Sequence, residues 1–180
     1  MKQKTLSLTT AHNDDQFKPN TTVAAVVVDG DKFLLVEEIE QGQHVFNQPA
    51  GHLEANESLI TAAQREISEE TGLVLTPEYC CGIYYYYSGF NHVYYLRFCF
   101  VIELGQQAKK QLAQIYGQDN KMCIKCSAQD TDIIATHWFT YDEIKARKNQ
   151  LRSPMVLECI NDYLAKKTIP LSVFKSNISP

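Results

Sequence analysis

The chain has 180 residues, 44% hydrophobic and 11% aromatic, enough for one domain with a sizeable core. Its 17 Lys and Arg stand against 21 Asp and Glu, a formal net charge of −4, which argues against a module held to a nucleic-acid polymer by phosphate neutralisation. The longest apolar run, Val23 to Val28, is far too short to cross a membrane, and the Gly and Pro content is too low for a low-complexity chain. The expectation is a single cytoplasmic domain over residues 1–180, monomeric or homodimeric, with reduced thiols and no membrane partner. Residues 1–18 read as a flexible N-terminus without the apolar stretch of a secretory signal.

Two β-rich runs, Thr22 to Asp29 and Phe33 to Val36, flank Asp29-Gly30 and predict a hairpin. Val45 to Asn47 is a short strand candidate stopped by Pro49, and Gln48-Pro49-Ala50-Gly51 reads as a tight loop. Leu59 to Thr71 predicts a helix capped by Ser58 and stopped by Gly72. Tyr79 to Tyr87 and Val93 to Glu103 predict two long strands, and Ile133 to Phe139 another. Thr140 to Glu143 is a capping box opening a short helix. Ser153 as N-cap and Pro154 at the first helical position predict a last helix running to about Lys166. Residues 105–129 read as an insertion, with a short helix over Gln107 to Tyr116. The mixed order of strands and helices favours an α+β chain, or a mixed sheet covered by helices.

The Leu59 to Thr71 helix carries an anomaly. At about 100° per residue, Leu59, Ile60, Ala62, Ala63 and Ile67 form an apolar face, with Glu66 and Glu70 inside it and Glu69 on its edge. Glu66 and Glu70 are like charges one turn apart at the end of the helix where the dipole prefers cations. Three converging carboxylates on a partly buried face call for a cation or raised pKa values. Oxygen-only ligands suit Mg²⁺ or Mn²⁺ better than zinc. Arg65 can pair with Glu54 or Glu57 and hold the preceding loop against the helix.

Gly51-x5-Glu57-x7-Arg65-Glu66-Ile67-x-Glu69-Glu70-x-Gly72-Leu73 matches the Nudix box at every specified position. The chain therefore resembles the Nudix hydrolases, which implies an α/β/α sandwich around a mixed sheet. The resemblance implies Glu66 and Glu70 as the main Mg²⁺ ligands, Glu69 as a further ligand or base, and a carbonyl near Gly51 completing the site. Glu57 and Arg65 would form the structural ion pair. A further acid is expected from a downstream loop, with Asp132 the first candidate and Asp130 the second. Asn47 to Glu57, Leu96-Arg97-Phe98, Asp132-Ile133 and Leu151 to Pro154 resemble the NudJ-type phosphatase subgroup. That subgroup implies Mg²⁺-dependent release of phosphate from nucleoside di- and triphosphates or thiamine-type pyrophosphates, small phosphorylated substrates. The alternatives are a pyrophosphohydrolase of ADP-ribose, nucleotide sugars or dinucleotides, and a binding module without activity.

Around the expected pocket, Arg97, Phe46, His52 and Tyr85 are substrate-binding candidates, Tyr85 from the run Tyr84 to Tyr87. The catalytic set is Glu69, Glu66 and Asp132. Cys123-x-x-Cys126 has zinc-ligand spacing but no second pair, and is read as two thiols. Between Gly51 and Leu73, five glutamates face one arginine, so this segment alone carries the chain's net charge. An anionic substrate must arrive there with its own cation.

Overall fold

The computed structural model describes residues 17–106, 109, 110, 113 and 132–178. Asp130, Cys123 and Cys126, most of the 105–129 segment and residues 1–16 lie outside them.

The hairpin predicted at Asp29-Gly30 joins β1 (Asn20–Asp29) to β2 (Lys32–Glu40), with Gly30 at φ +65°. They are followed by β3 (Gln43–Asn47) and β4 (Ala50–His52), then α1 (Leu59–Thr71). Next come β5 (Tyr79–Ser88), β6 (Val93–Glu103), β7 (Ile133–Thr140) and α2 (Tyr141–Ala146). A last helix, α3 (Met155–Leu164), precedes the two-residue β8 (Ile169–Pro170). Among the described residues, the eight strands form one mixed sheet. β1 and β6 are parallel over nine residue pairs, and the remaining pairings are antiparallel.

Two expectations are corrected. Gln48 to Gly51 is not simply a loop, since Ala50 and Gly51 already belong to β4. Ser153 does not cap the last helix: Pro154 holds the N-cap position without a side-chain bond, and the helix ends at Leu164, short of Lys166. Proline lacks an N–H and its fixed φ suits a helix start, so the chain turns there without help from the serine.

The alternation of β1 sorts its residues into two layers. Ala24, Val26 and Val28 face α2 and α3, packing with Ile144, Val156, Cys159 and Ile160. Val23, Ala25 and Val27 face α1, with Ala62, Ala63, Ile67 and Leu73. Helices thus cover both faces of the sheet, the α/β/α arrangement that a mixed sheet with both faces apolar requires.

One topological detail prepares the site. β2 pairs with β1 only at Val28–Phe33 and Asp29–Lys32, then departs to pair with β3 and β7. The vacated edge of β1 is taken by β4, through Thr22–His52, Val23–Gly51 and Ala24–Ala50. The sheet divides, and a cleft opens where it does.

Candidate active site

The cleft encloses about 500 Å³. One wall is α1. Ser58 caps it by accepting from the Thr61 N–H at 3.0 Å, and Gly72, at φ +71°, closes it with its N–H on the Ser68 carbonyl. This start and stop fix the phase of the helix, and with it the direction of the glutamates. Glu66 is 8% exposed and Glu70 4%, while Glu69 is more open. Burial pushes the Glu66 carboxyl above its ordinary value, opposed by the Arg65 guanidinium beside it.

Glu66 and Glu70 each meet β4. The Ala50 N–H donates to Glu70 Oε2 at 2.9 Å. The Glu66 carboxylate lies against Gly51, in the space a Cβ would need. Gly51 has no left-handed backbone, so glycine serves here for close approach rather than for a turn.

Arg65 joins the parts. Its Nε and Nη2 donate to the two oxygens of Glu57 at 3.0 and 2.7 Å, a bidentate fork. Nη1 donates to Glu66 at 2.8 Å and Glu69 at 3.0 Å, and Nη2 also reaches the His52 carbonyl at 3.0 Å. The fork holds the Glu57 carboxyl below its usual range, against a smaller effect of burial.

Arg97, His52 and Asp132 line the same cleft as Glu66, Glu69, Glu70 and Gly51. Phe46 does not: it is buried in the core, edge-on to His137 and Phe139. Tyr85 does not either. It is 61% exposed on the other face of β5, stacked on Tyr94, and Tyr86 lines the cleft instead. The register of β5 on β6 shifts between Cys80 and Gly82, so counting alternation from the buried cysteines gives the wrong phase for the tyrosines.

Glu38, Glu40 and Arg152 also line the cleft and were missed from the sequence. Arg152 pairs with buried Glu38 and stands 3.8 Å from Glu40. A readable signal existed for Glu38, which continues the buried alternation of Leu34 and Val36 with a charge.

As placed, no three His, Cys, Asp or Glu side chains among the described residues are gathered closely enough to hold an ion. The donor chemistry nevertheless fits a hard divalent cation. Two carboxylates are buried one turn apart, all the candidate ligands are oxygens, and a cation would relieve the burial of their charge. Among the described residues, no helix is long and apolar enough to cross a membrane.

Comparison with known proteins matches residues 18–159 to the NUDIX domain. The chain is 39% identical over 157 residues to phosphatase NudJ of Escherichia coli strain K12, covering 87% of this chain and 91% of that one. A NUDIX hydrolase of known structure from Nitrosomonas europaea is 41% identical, with a TM-score of 0.75 over 91% of this chain and all of the other. The fold alone is shared with a bifunctional NMN adenylyltransferase/ADP ribose pyrophosphatase from Francisella tularensis, solved with AMP and a Mn ion. That likeness has a TM-score of 0.58 and 16% identity, covering 83% of this chain and 42% of the other.

Proposed function

This chain belongs to the NUDIX family, and on that premise we propose that it is a Mg²⁺-dependent phosphatase releasing phosphate from nucleoside di- or triphosphates or thiamine-type pyrophosphates, with Mn²⁺ as an alternative metal. It is a Nudix hydrolase acting on phosphoanhydrides, as its likeness to phosphatase NudJ indicates. The observation that carries the finer reading is the pair of buried carboxylates, Glu66 and Glu70, held to β4 in a cleft whose far side presents Arg97 and Tyr86.

Glu66, Glu70 and Glu69, with the Gly51 carbonyl, would hold the cation. When bound, a divalent cation neutralises the phosphoanhydride oxygens and polarises the phosphorus under attack. Arg65 keeps Glu66 and Glu69 oriented through one guanidinium nitrogen, and its fork to Glu57 fixes that nitrogen in place. Glu69 and Asp132 are carboxylates of the cleft suited to take the proton of the attacking water, and Glu66 shares that role where the metal leaves an oxygen available. His52, exposed at the end of β4, orients the phosphate chain. The similarity to NudJ also supports a small phosphorylated substrate.

The test is a panel of nucleoside di- and triphosphates, thiamine pyrophosphate, ADP-ribose and dinucleotides, assayed with Mg²⁺ and with Mn²⁺ for orthophosphate and pyrophosphate. Orthophosphate from the one-ended substrates, abolished by EDTA and restored by Mg²⁺, is the expected result. Exclusive cleavage of ADP-ribose or dinucleotides into two monophosphates would replace it with a pyrophosphohydrolase.

A further inference from the structure

Four buried side-chain groups on the cleft have hydrogen-bonding atoms with no partner among the described residues. They are Arg97 Nε and Nη1, Thr22 Oγ1, Asn47 Oδ1 and Ser153 Oγ. Arg97 is only 6% exposed. A guanidinium withdrawn from water with unmet N–H groups is among the more costly features a fold can retain. Other buried polar groups of the cleft are engaged: Glu70 holds the Ala50 N–H, and Glu38 holds Arg152.

The sheet register says where this group lies. Thr22 is the partner of Arg97 across the parallel β1–β6 pairing and of His52 across β1–β4. Arg97 therefore stands two strand spacings, about 10 Å at the backbone, from β4, where Glu66 and Glu70 meet Ala50 and Gly51. On its other side, Tyr86 and Tyr95 are direct cross-strand partners and both line the cleft. The order along the cleft is a tyrosine pair, then Arg97 with Thr22, then the carboxylates.

From this order we infer that Arg97, with Thr22 and Ser153, forms a subsite for the phosphoryl group that stays on the organic part of the substrate, so that the terminal phosphate of an aromatic diphosphate ester is the group released. A planar guanidinium with donors in a fork matches phosphate oxygens, and the hydroxyls of Thr22 and Ser153 add donors around it. The tyrosine pair takes the attached ring by stacking. In hydrolysis the water oxygen bonds to the terminal phosphorus, and the bond from that phosphorus to the bridging oxygen breaks. The electron pair stays on the bridging oxygen, which remains with the phosphoryl at Arg97, and the proton of the water passes to a cleft carboxylate and on to solvent. The positive charge of Arg97 meets the charge that develops on that oxygen.

The inference rests on the phosphoanhydride hydrolase reading, but its binding test needs neither metal nor turnover. In EDTA, binding of AMP against adenosine, and of thiamine monophosphate against thiamine, is followed by NMR titration. The wild-type protein is expected to prefer each monophosphate at least tenfold. Arg97→Gln brings the ratio to within twofold, and Thr22→Val, close in shape, lowers it about threefold where the arginine variant does not fold. Equal affinity of the wild-type protein for phosphorylated and unphosphorylated partners overturns the subsite, as would a ratio unmoved by folded Arg97→Gln. Hydrolysis of thiamine pyrophosphate in ¹⁸O-labelled water places the label in orthophosphate, and label in the monophosphate overturns the assignment. Selective binding without turnover of any panel compound leaves the subsite standing and removes the hydrolase reading. Turnover with a binding ratio near one does the reverse.

Discussion

A methyl group on Gly51 would occupy the space of the Glu66 carboxylate. The backbone at Gly51 is one that any residue can adopt, so a substitution there acts on the carboxylate and not on the strand. Gly51→Ala is expected to displace Glu66 and cut turnover about 100-fold, the usual cost of a misplacement near 1 Å at a reacting centre. The overlap also destabilises the fold by about 2 kcal/mol. Phosphate release and thermal melting, measured together, check both effects.

Glu70→Gln keeps an oxygen that can accept the Ala50 N–H and removes the charge. Melting is expected to change by less than about 1 kcal/mol, while metal-dependent turnover falls by about 100-fold or more, since changes to the supports of a metal ligand already cost 10–100-fold. Near wild-type turnover in a folded variant removes Glu70 from the metal set.

Arg65→Gln breaks the fork to Glu57 together with the bonds to Glu66, Glu69 and His52. The expected loss is about 2 kcal/mol at neutral pH. Because the folded Glu57 carboxyl sits below its ordinary value of 4.5, the advantage of wild type over variant is complete above that pH. It shrinks as pH falls through the lower, folded value. Denaturant titrations of both proteins from pH 7 to pH 3 measure this difference directly.

Glu37 offers the same test far from α1. Burial pushes its carboxyl up, but hydrogen bonds with His137 at 2.6 Å and His44 at 2.5 Å outweigh burial and hold it below 4.5. Glu37→Gln is therefore expected to lose about 1 kcal/mol at neutral pH, a deficit that disappears on acidification below the ordinary carboxyl range. Activity at neutral pH should be little changed, since Glu37 does not line the cleft.

The acidic wall of the cleft was legible because it is local. Thirteen helical residues between Ser58 and Gly72 set their own phase, so two glutamates on the apolar face could be recognised from spacing alone. The opposite wall was not, because it depends on strand register. Whether Tyr85 or Tyr86 faces the cleft turns on one irregularity between Cys80 and Gly82, and nothing in a run of four tyrosines reveals it. Phe46 failed for a related reason: the alternation of β3 turns it inward against Phe139, on a strand that sequence distance places far away. Arg97 was recognised as a candidate from its neighbours in the sequence, whereas its burial and its companions Thr22, Asn47 and Ser153 emerge only once β1, β3, β6 and the turn before α3 are brought to one cleft.

The two ends of the cleft have different origins in the chain. Gly51, Arg65, Glu66, Glu69 and Glu70 come from one continuous stretch, β4 through α1, whereas Tyr86, Tyr95 and Arg97 come from the β5–β6 hairpin. Substitutions at the hairpin can change which organic group is accepted while the hydrolytic stretch is inherited whole. A descendant lineage can thus acquire a new diet through a few strand positions, keeping an old reaction.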